Sequence, residues 1–297
     1  DWYEDASRRD FTINSIYSDI DGNFYDPFNG KKDLQDGKIK FIGDPEKRIQ
    51  EDYLRILRYI RFFLNYSKMS HDAKVKNIIK QNLNGLSKIS SERLLDELKK
   101  IISSKGFLNL FEDNFSLEII KLIFPEFINI DRLKNLNDLA KKKIIEKEVD
   151  FIFLIIFMVL DKKDNLDYLL FKFNFSNIDK KRILFLNDFY KQKINSNTFS
   201  EKSLWKIFYF HGKQSLFDLI NFEILNSKKI KKKLNNLFNF FQDKEVPIFP
   251  IKAKNLMEKF GISEGKLLGS KLRKIEEIWI SNNFKVSEKE IFKVIKN

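Results

Sequence analysis

From Asp44 onward, apolar side chains return every three or four positions almost to the end of the chain, the spacing of amphipathic helices. The first such segment opens on Asp44-Pro45, a capping residue followed by proline at the first helical position, and its pattern runs to about Tyr66. Within it Leu54, Leu57, Ile60 and Leu64 form the stripe expected to be buried. Arg55, Arg58 and Arg61 climb the other side, one turn apart. Further helices are predicted at roughly 72–83, 90–103, 105–113, 115–123, 131–145, 148–161 and 164–173. More follow at roughly 178–192, 199–208, 213–226, 228–242, 252–260, 265–281 and 287–296. Before Asp44 the pattern changes. A short helix over Phe11 to Ser18 fits the pattern after Arg8-Arg9-Asp10, and Ile16 to Ile20 and Asn23 to Asp26 flank Asp21-Gly22, a hairpin signal. Lys38 to Ile42 alternates like one more strand. The expected fold is mostly α, with a small α+β portion at the N-terminus.

Composition narrows the chemistry. With 43% hydrophobic and 33% charged residues over 297 positions, the chain has a globular composition. It has no cysteine, which excludes disulfides, thiolate nucleophiles and cysteine-held metals, and two histidines are too few for a histidine-rich metal site. The longest apolar run, Phe151 to Leu160, is too short to span a bilayer, and no signal-peptide pattern opens the chain, so a cytoplasmic location is expected. The net charge of +13 favours a polyanionic partner such as nucleic acid. Only ten of the 55 cations are arginine, yet seven of those fall before residue 100. Clustered arginine in a lysine-rich chain points to a need for the planar, five-donor guanidinium.

Four constellations follow. Asp52 and Arg55, at i and i+3 on the predicted helix, can address one planar target together. A carboxylate accepts from an exocyclic amino group while a guanidinium donates to ring nitrogens or a carbonyl, which suits cytosine and adenine and opposes uracil and guanine. Arg58 and Arg61 are then spare cations for a triphosphate. In RRDFTIN at 8–14, adjacent arginines suit phosphate, and Asp10 and Asn14, sharing a face if helical, suit a ribose hydroxyl. A surface ion-pair cluster would have the same spacing. DPFNGKKDL at 26–34 reads as an ordinary loop between strand and helix. Near the end, Gly261 can close one helix and Gly265 to Gly269 open the next, with Lys266, Lys271, Arg273 and Lys274 close by. This is either a phosphate grip on RNA or a glycine turn between packed helices. The Lys228–Lys233 run reads as a solvated face, and His71 and His211 as structural or exposed.

RRDFTIN, DPFNGKKDL, EDYLR at 51–55 and the run Ser90-Ser91-Glu92-Arg93 resemble four successive motifs of one family. It comprises the class II tRNA nucleotidyltransferases (CCA-adding enzymes) and the related bacterial poly(A) polymerases. The segment from Gly261 to Leu272, with Glu276 and Trp279, is similar to the C-terminal segment of bacterial members. The resemblance implies a nucleotidyltransferase head over 1–42, a helical neck for base recognition over 43–125, and a helical body and tail that bind tRNA over 126–297. It implies that Arg9 contacts the nucleotide, with Asp10 and Asn14 near the ribose. Asp52 and Arg55 would select C or A from CTP and ATP without a nucleic-acid template, and Arg58 and Arg61 would hold the nucleotide. The family's Mg2+-binding carboxylates and glycine-rich loop lie upstream of RRDFTIN, and the chain opens on Asp1 rather than methionine. The expectation is therefore an N-terminally truncated chain, without catalytic or metal residues of its own and inactive alone. Two other functions remain open: a poly(A) polymerase, and a non-catalytic RNA-binding module.

Overall fold

A computed structural model describes residues 1–161, 165–192 and 198–296. The chain forms two compact units, the first made of Asp1–Lys191 with Phe222–Ile230, the second of Gln192–Asn221 with Lys231–Asn297. The expected boundaries at 42/43 and 125/126 both fall inside the first unit.

The first unit opens with α1 (Trp2–Arg8), capped by the Asp1 carboxylate on the Tyr3 N–H. The helix expected over Phe11 to Ser18 does not form. Phe11 is extended, Thr12–Asn14 is a single 3-10 turn, and the Asn14 carboxamide accepts from the Phe11 N–H at 3.1 Å. Local side-chain bonding wins over helix propagation here. The hairpin is present but short: β1 (Tyr17–Ser18) pairs antiparallel with β2 (Phe24–Tyr25) around Gly22 at φ 84°. Residues 38–42 contribute only a single bridge, Phe41 to Phe11, instead of the expected strand.

DPFNGKKDL does more than a loop requires. The Asp26 carboxylate accepts from the Gly30 and Lys31 N–H groups, opening α2 (Gly30–Asp36). A Cβ on Gly30 would lie 1.9 Å from the Thr12 carbonyl oxygen, so glycine is what lets α2 pack on the 3-10 turn. Buried Asp33 accepts from the Thr12 hydroxyl at 2.9 Å, sealing that contact.

The helix expected from Asp44 to Tyr66 is two helices. α3 (Pro45–Glu51) starts at the Asp44 cap and the proline, as its sequence predicts, and stops at Asp52, whose backbone is extended at φ −152°. α4 (Arg55–Tyr66) then begins afresh, its buried face including Leu57, Ile60 and Leu64 and widened by Ile56 and Tyr59. The unit continues through α5 (Ala73–Asn82), a 3-10 turn Leu83–Lys88, and α6 (Ser91–Ile102), capped by Ser90. The predicted helix over 105–113 is a 3-10 turn, Phe107–Phe111, and α7 (Asn114–Ile123) follows under an Asp113 cap. The predicted 131–145 helix is divided: Asn137 accepts from the Ala140 N–H and starts α8 (Asp138–Ile145) after a 3-10 turn. α9 (Phe151–Val159) is apolar on every side and seven of its residues are buried, so it forms the centre of this unit rather than a surface layer. α10 (Asn165–Lys172) and α11 (Asn177–Lys191) complete it.

In the second unit Gly212, at φ 79°, interrupts α12 (Glu201–Leu225), close to where the sequence divides two helices. α13 (Lys232–Gln242) and α14 (Ala253–Phe260) follow, the latter ended by Gly261 in the left-handed conformation. α15 (Lys266–Ser281) and α16 (Glu288–Lys296) pack with α14 around Leu256, Leu268 and Ile275. No helix among the described residues is long and apolar enough to cross a membrane.

Candidate functional site

The arginine face of α4 meets carboxylates far away in sequence. Arg55 Nε donates to Asp10 Oδ1 at 2.6 Å and Arg58 Nη1 to Asp10 Oδ2 at 2.7 Å. Arg61 Nε donates to Glu97 Oε1 at 2.5 Å, and Arg58 Nε lies 3.8 Å from the other Glu97 oxygen. Two buried carboxylates, 6% and 1% exposed, thus bridge three guanidiniums. Burial acts to raise the Asp10 pKa, but the hydrogen bonds from Arg58 and Arg55 outweigh it and hold the carboxyl below its ordinary value. Burial likewise opposes charge on Arg55 and Arg58, and their carboxylates leave both above the usual arginine value.

Arg58 and Arg61 are therefore not spare cations. Both are committed within the fold. Asp10 does not share a helical face with Asn14, and both its oxygens are taken by arginines rather than presented to a ribose. Arg9 is half-exposed, paired with Asp5 at 2.9 Å, its guanidinium carbon 5.9 Å from the Tyr17 ring centre.

Asp52 and Arg55 do not stand on adjacent turns of one helix. Asp52 sits at the break, where its Oδ1 accepts from the Leu54 N–H at 3.2 Å and its Oδ2 from Arg93 Nη2 at 2.8 Å. Its carbonyl still accepts from the Arg55 N–H at 3.0 Å, so the two residues remain linked across one turn. The Arg55 guanidinium is gripped along one edge: Nε by Asp10, Nη1 by the Arg48 carbonyl and by Glu51 at 2.7 Å. Among the described residues its Nη2 has no hydrogen-bond partner. The hydrogen bond from Arg55 also draws the Glu51 pKa below its usual value. A cavity of about 560 Å³ opens at the break, lined by Gln50, Glu51, Asp52, Tyr53, Lys88, Ile89 and Arg93. A larger cavity of about 960 Å³, between α6, α8 and α9, is lined by none of the candidate residues.

Arg48 lies outside every quoted motif, while Arg93 and Glu97 belong to the run that opens at Ser90, whose partners its spacing leaves open. Arg48 Nη2 donates to the Arg8 and Arg9 carbonyls at 2.9 and 2.7 Å, fastening the RRD segment to α3. Glu97 and Arg93 lie on α6, one inside the ladder and the other on Asp52. The surplus of arginine near residue 50 is the only sequence signal that carboxylate partners had to exist.

In the second unit, Lys266, Arg273 and Lys274 are exposed on α15. Lys271 is not. Its ammonium donates to the Val294 and Ile295 carbonyls at 3.1 and 2.7 Å and so caps the C-terminus of α16. Among the described residues no group of three or more carboxylate or imidazole side chains could hold a metal. The described residues thus do not fit the Mg2+ that the resemblance implies.

Comparisons with known proteins agree from end to end of the chain. The family described as "Poly A polymerase head domain" matches residues 1–40, and "Probable RNA and SrmB- binding site of polymerase A" matches residues 68–130. The chain is 31% identical to CCA tRNA nucleotidyltransferase 1, mitochondrial, of Mus musculus, with 100% of this chain and 67% of the relative aligned. It is 29% identical to a CCA-adding enzyme of Staphylococcus haemolyticus, over 100% of this chain and 73% of the relative. The fold matches a Bacillus stearothermophilus CCA-adding enzyme in complex with CTP at TM-score 0.65 and 18% identity, covering 100% of this chain and 74% of that one. It also matches a Thermotoga maritima CCA-adding enzyme complexed with tRNA at TM-score 0.63 and 19% identity, covering 99% of this chain and 73% of that one.

Proposed function

Since the chain belongs to the CCA-adding tRNA nucleotidyltransferase family, we propose that it selects CTP and ATP for addition of C and A to the 3′ end of tRNA. The observation that carries this reading is the arrangement at the helix break. Asp52 borders the cavity with its carboxylate tethered, and Arg55, one turn on and buried just outside that lining, is held by its Nε and Nη1, which leaves its Nη2 as the donor for a ligand. The carboxylate accepts from the exocyclic amino group of cytosine or adenine, and the guanidinium donates to the adjacent ring nitrogen. Uracil and guanine set a keto oxygen against the carboxylate, and repulsion rejects them.

The ion-paired ladder then acts as scaffolding. Asp10, Arg58, Arg61 and Glu97 hold α4 so that Arg55 keeps its edge, and Arg9 is the half-exposed cation of the RRD segment for the nucleotide's phosphates. Lys266, Arg273 and Lys274 serve as a cationic surface for the tRNA backbone. The functional layers are the head over 1–42, the neck over 43–125, and the body and tail over 126–297, and the working compartment is the cytoplasm.

Incorporation from each of the four triphosphates into a tRNA transcript lacking its 3′ terminus tests this in the native protein. CTP and ATP are used in order, and Arg55→Ala relaxes the choice of base by about tenfold or more, the worth of one good bidentate contact. Unchanged selection in Arg55→Ala would overturn the reading. Extension by A alone, the reading that the poly(A) polymerase head description favours, is the other outcome of the same assay.

A further inference from the structure

Arg93 occupies an electrostatically poor position. It lies in the first turn of α6, where the free N–H groups of the helix end disfavour a cation, and its own N–H donates to the Ser90 cap. Its guanidinium compensates by reaching Asp52 Oδ2, 41 residues away in sequence, at 2.8 Å. Asp52 therefore has a tether on each oxygen: the Leu54 N–H on Oδ1 and Arg93 on Oδ2. A carboxylate oxygen accepts two hydrogen bonds, so each keeps one acceptor site, and the two tethers fix where those sites aim. The surrounding wall is fixed as well. A Cβ on Gly85 would lie 2.1 Å from the Tyr53 ring, so the Leu83–Lys88 turn packs directly against the residue after Asp52. The Lys88 ammonium stands 5.6 Å from the centre of the same ring.

We infer that Arg93 is a specificity-determining positioning residue: by orienting the Asp52 carboxylate it sets the preference for amino-bearing over keto-bearing bases, cytosine over uracil and adenine over guanine. This rests on the base-reading role proposed above for Asp52. Arg93 acts through Asp52 and need not touch the nucleotide. Because its side chain is half-exposed, truncation leaves no buried void.

The test is the ratio of kcat/KM for CTP to that for UTP, measured in the native protein on tRNA lacking its terminus. The variants are Arg93→Ala, Arg93→Lys, Asp52→Ala and the Arg93→Ala/Asp52→Ala double substitution. The expected result is a loss of about tenfold in the CTP/UTP ratio for Arg93→Ala, with KM for CTP changed by less than about threefold, and partial recovery in Arg93→Lys. In the Asp52→Ala background, Arg93→Ala adds less than about twofold, because the group through which it acts is gone. Equal losses for CTP and UTP with a raised KM would overturn the inference, since Arg93 would then be gripping phosphate or RNA. So would a full tenfold effect in the Asp52→Ala background. If Asp52→Ala alone leaves the ratio intact, the base-reading role fails and this inference with it. If Asp52→Ala abolishes the preference while Arg93→Ala keeps it, only the present inference fails.

Discussion

Asp10→Asn isolates the energetics of the ladder. The substitution preserves shape but removes the one negative charge that Arg55 and Arg58 share at 2.6 and 2.7 Å, in a position 6% exposed. Removing one partner of a fully buried ion pair costs about 3–5 kcal/mol. Arg58 is about a third exposed and water screens its half, so the loss falls below that range, roughly 2–3 kcal/mol. Hydrogen exchange along α4 reads that loss as local opening: protection at pH 7 falls by about 30- to 150-fold, at 1.4 kcal/mol per tenfold. The pH dependence follows from the lowered pKa of Asp10. A carboxyl depressed in the folded state contributes its full stabilisation above its unfolded value of about 3.9 and loses it as pH falls through the folded value. The gap between wild type and Asp10→Asn is therefore constant from pH 7 to about pH 5, begins to narrow below about pH 4 and closes as pH passes the depressed folded value. A protection change under threefold at pH 7, or a gap that persists undiminished at pH 3, would show that Asp10 is not the charge holding α4.

Two further outcomes are expected. Gly85→Ala forces a methyl into the Tyr53 ring and lowers stability by about 1–3 kcal/mol, seen as a reduced urea midpoint, whereas Gly261→Asn, in open space and tolerant of the left-handed conformation, changes it little. The triple variant Lys266→Ala/Arg273→Ala/Lys274→Ala weakens tRNA binding and flattens its salt dependence without changing the melting of the second unit, while Lys271→Ala does the reverse, costing about 1 kcal/mol through the uncapped α16 carbonyls.

Helix starts were largely legible because they are local. Asp44 with Pro45 announces α3 and caps it, and the helices that the apolar period predicts from about 90, 115 and 148 start under Ser90, Asp113 and Asp150 caps. The break at Asp52 was not legible, because the apolar spacing of Leu54, Leu57 and Ile60 continues through it and period alone cannot reveal an interrupted backbone. The alternation at 38–42 likewise defines a face without supplying a neighbour to pair with, and one bridge to Phe41 is what results. For the site, composition pointed to the arginines and to the chemistry they suit, but not to their partners. Asp10 lies 45 residues before Arg55 and Glu97 lies 36 after Arg61. Such pairings arise from tertiary packing, and a one-dimensional pattern assigns a solvent-facing role to the same positions.

The junction between α3 and α4 is stapled from both sides. Glu51 accepts from Arg48 and from Arg55, and Arg55 also reaches the Arg48 carbonyl across the gap. A junction braced in this way is a rigid elbow and makes a poor hinge. Under the proposed function, the passage from a pyrimidine to a larger purine then falls to the incoming ligands, through a different pose of the nucleotide or a shifted RNA end, with this elbow unchanged.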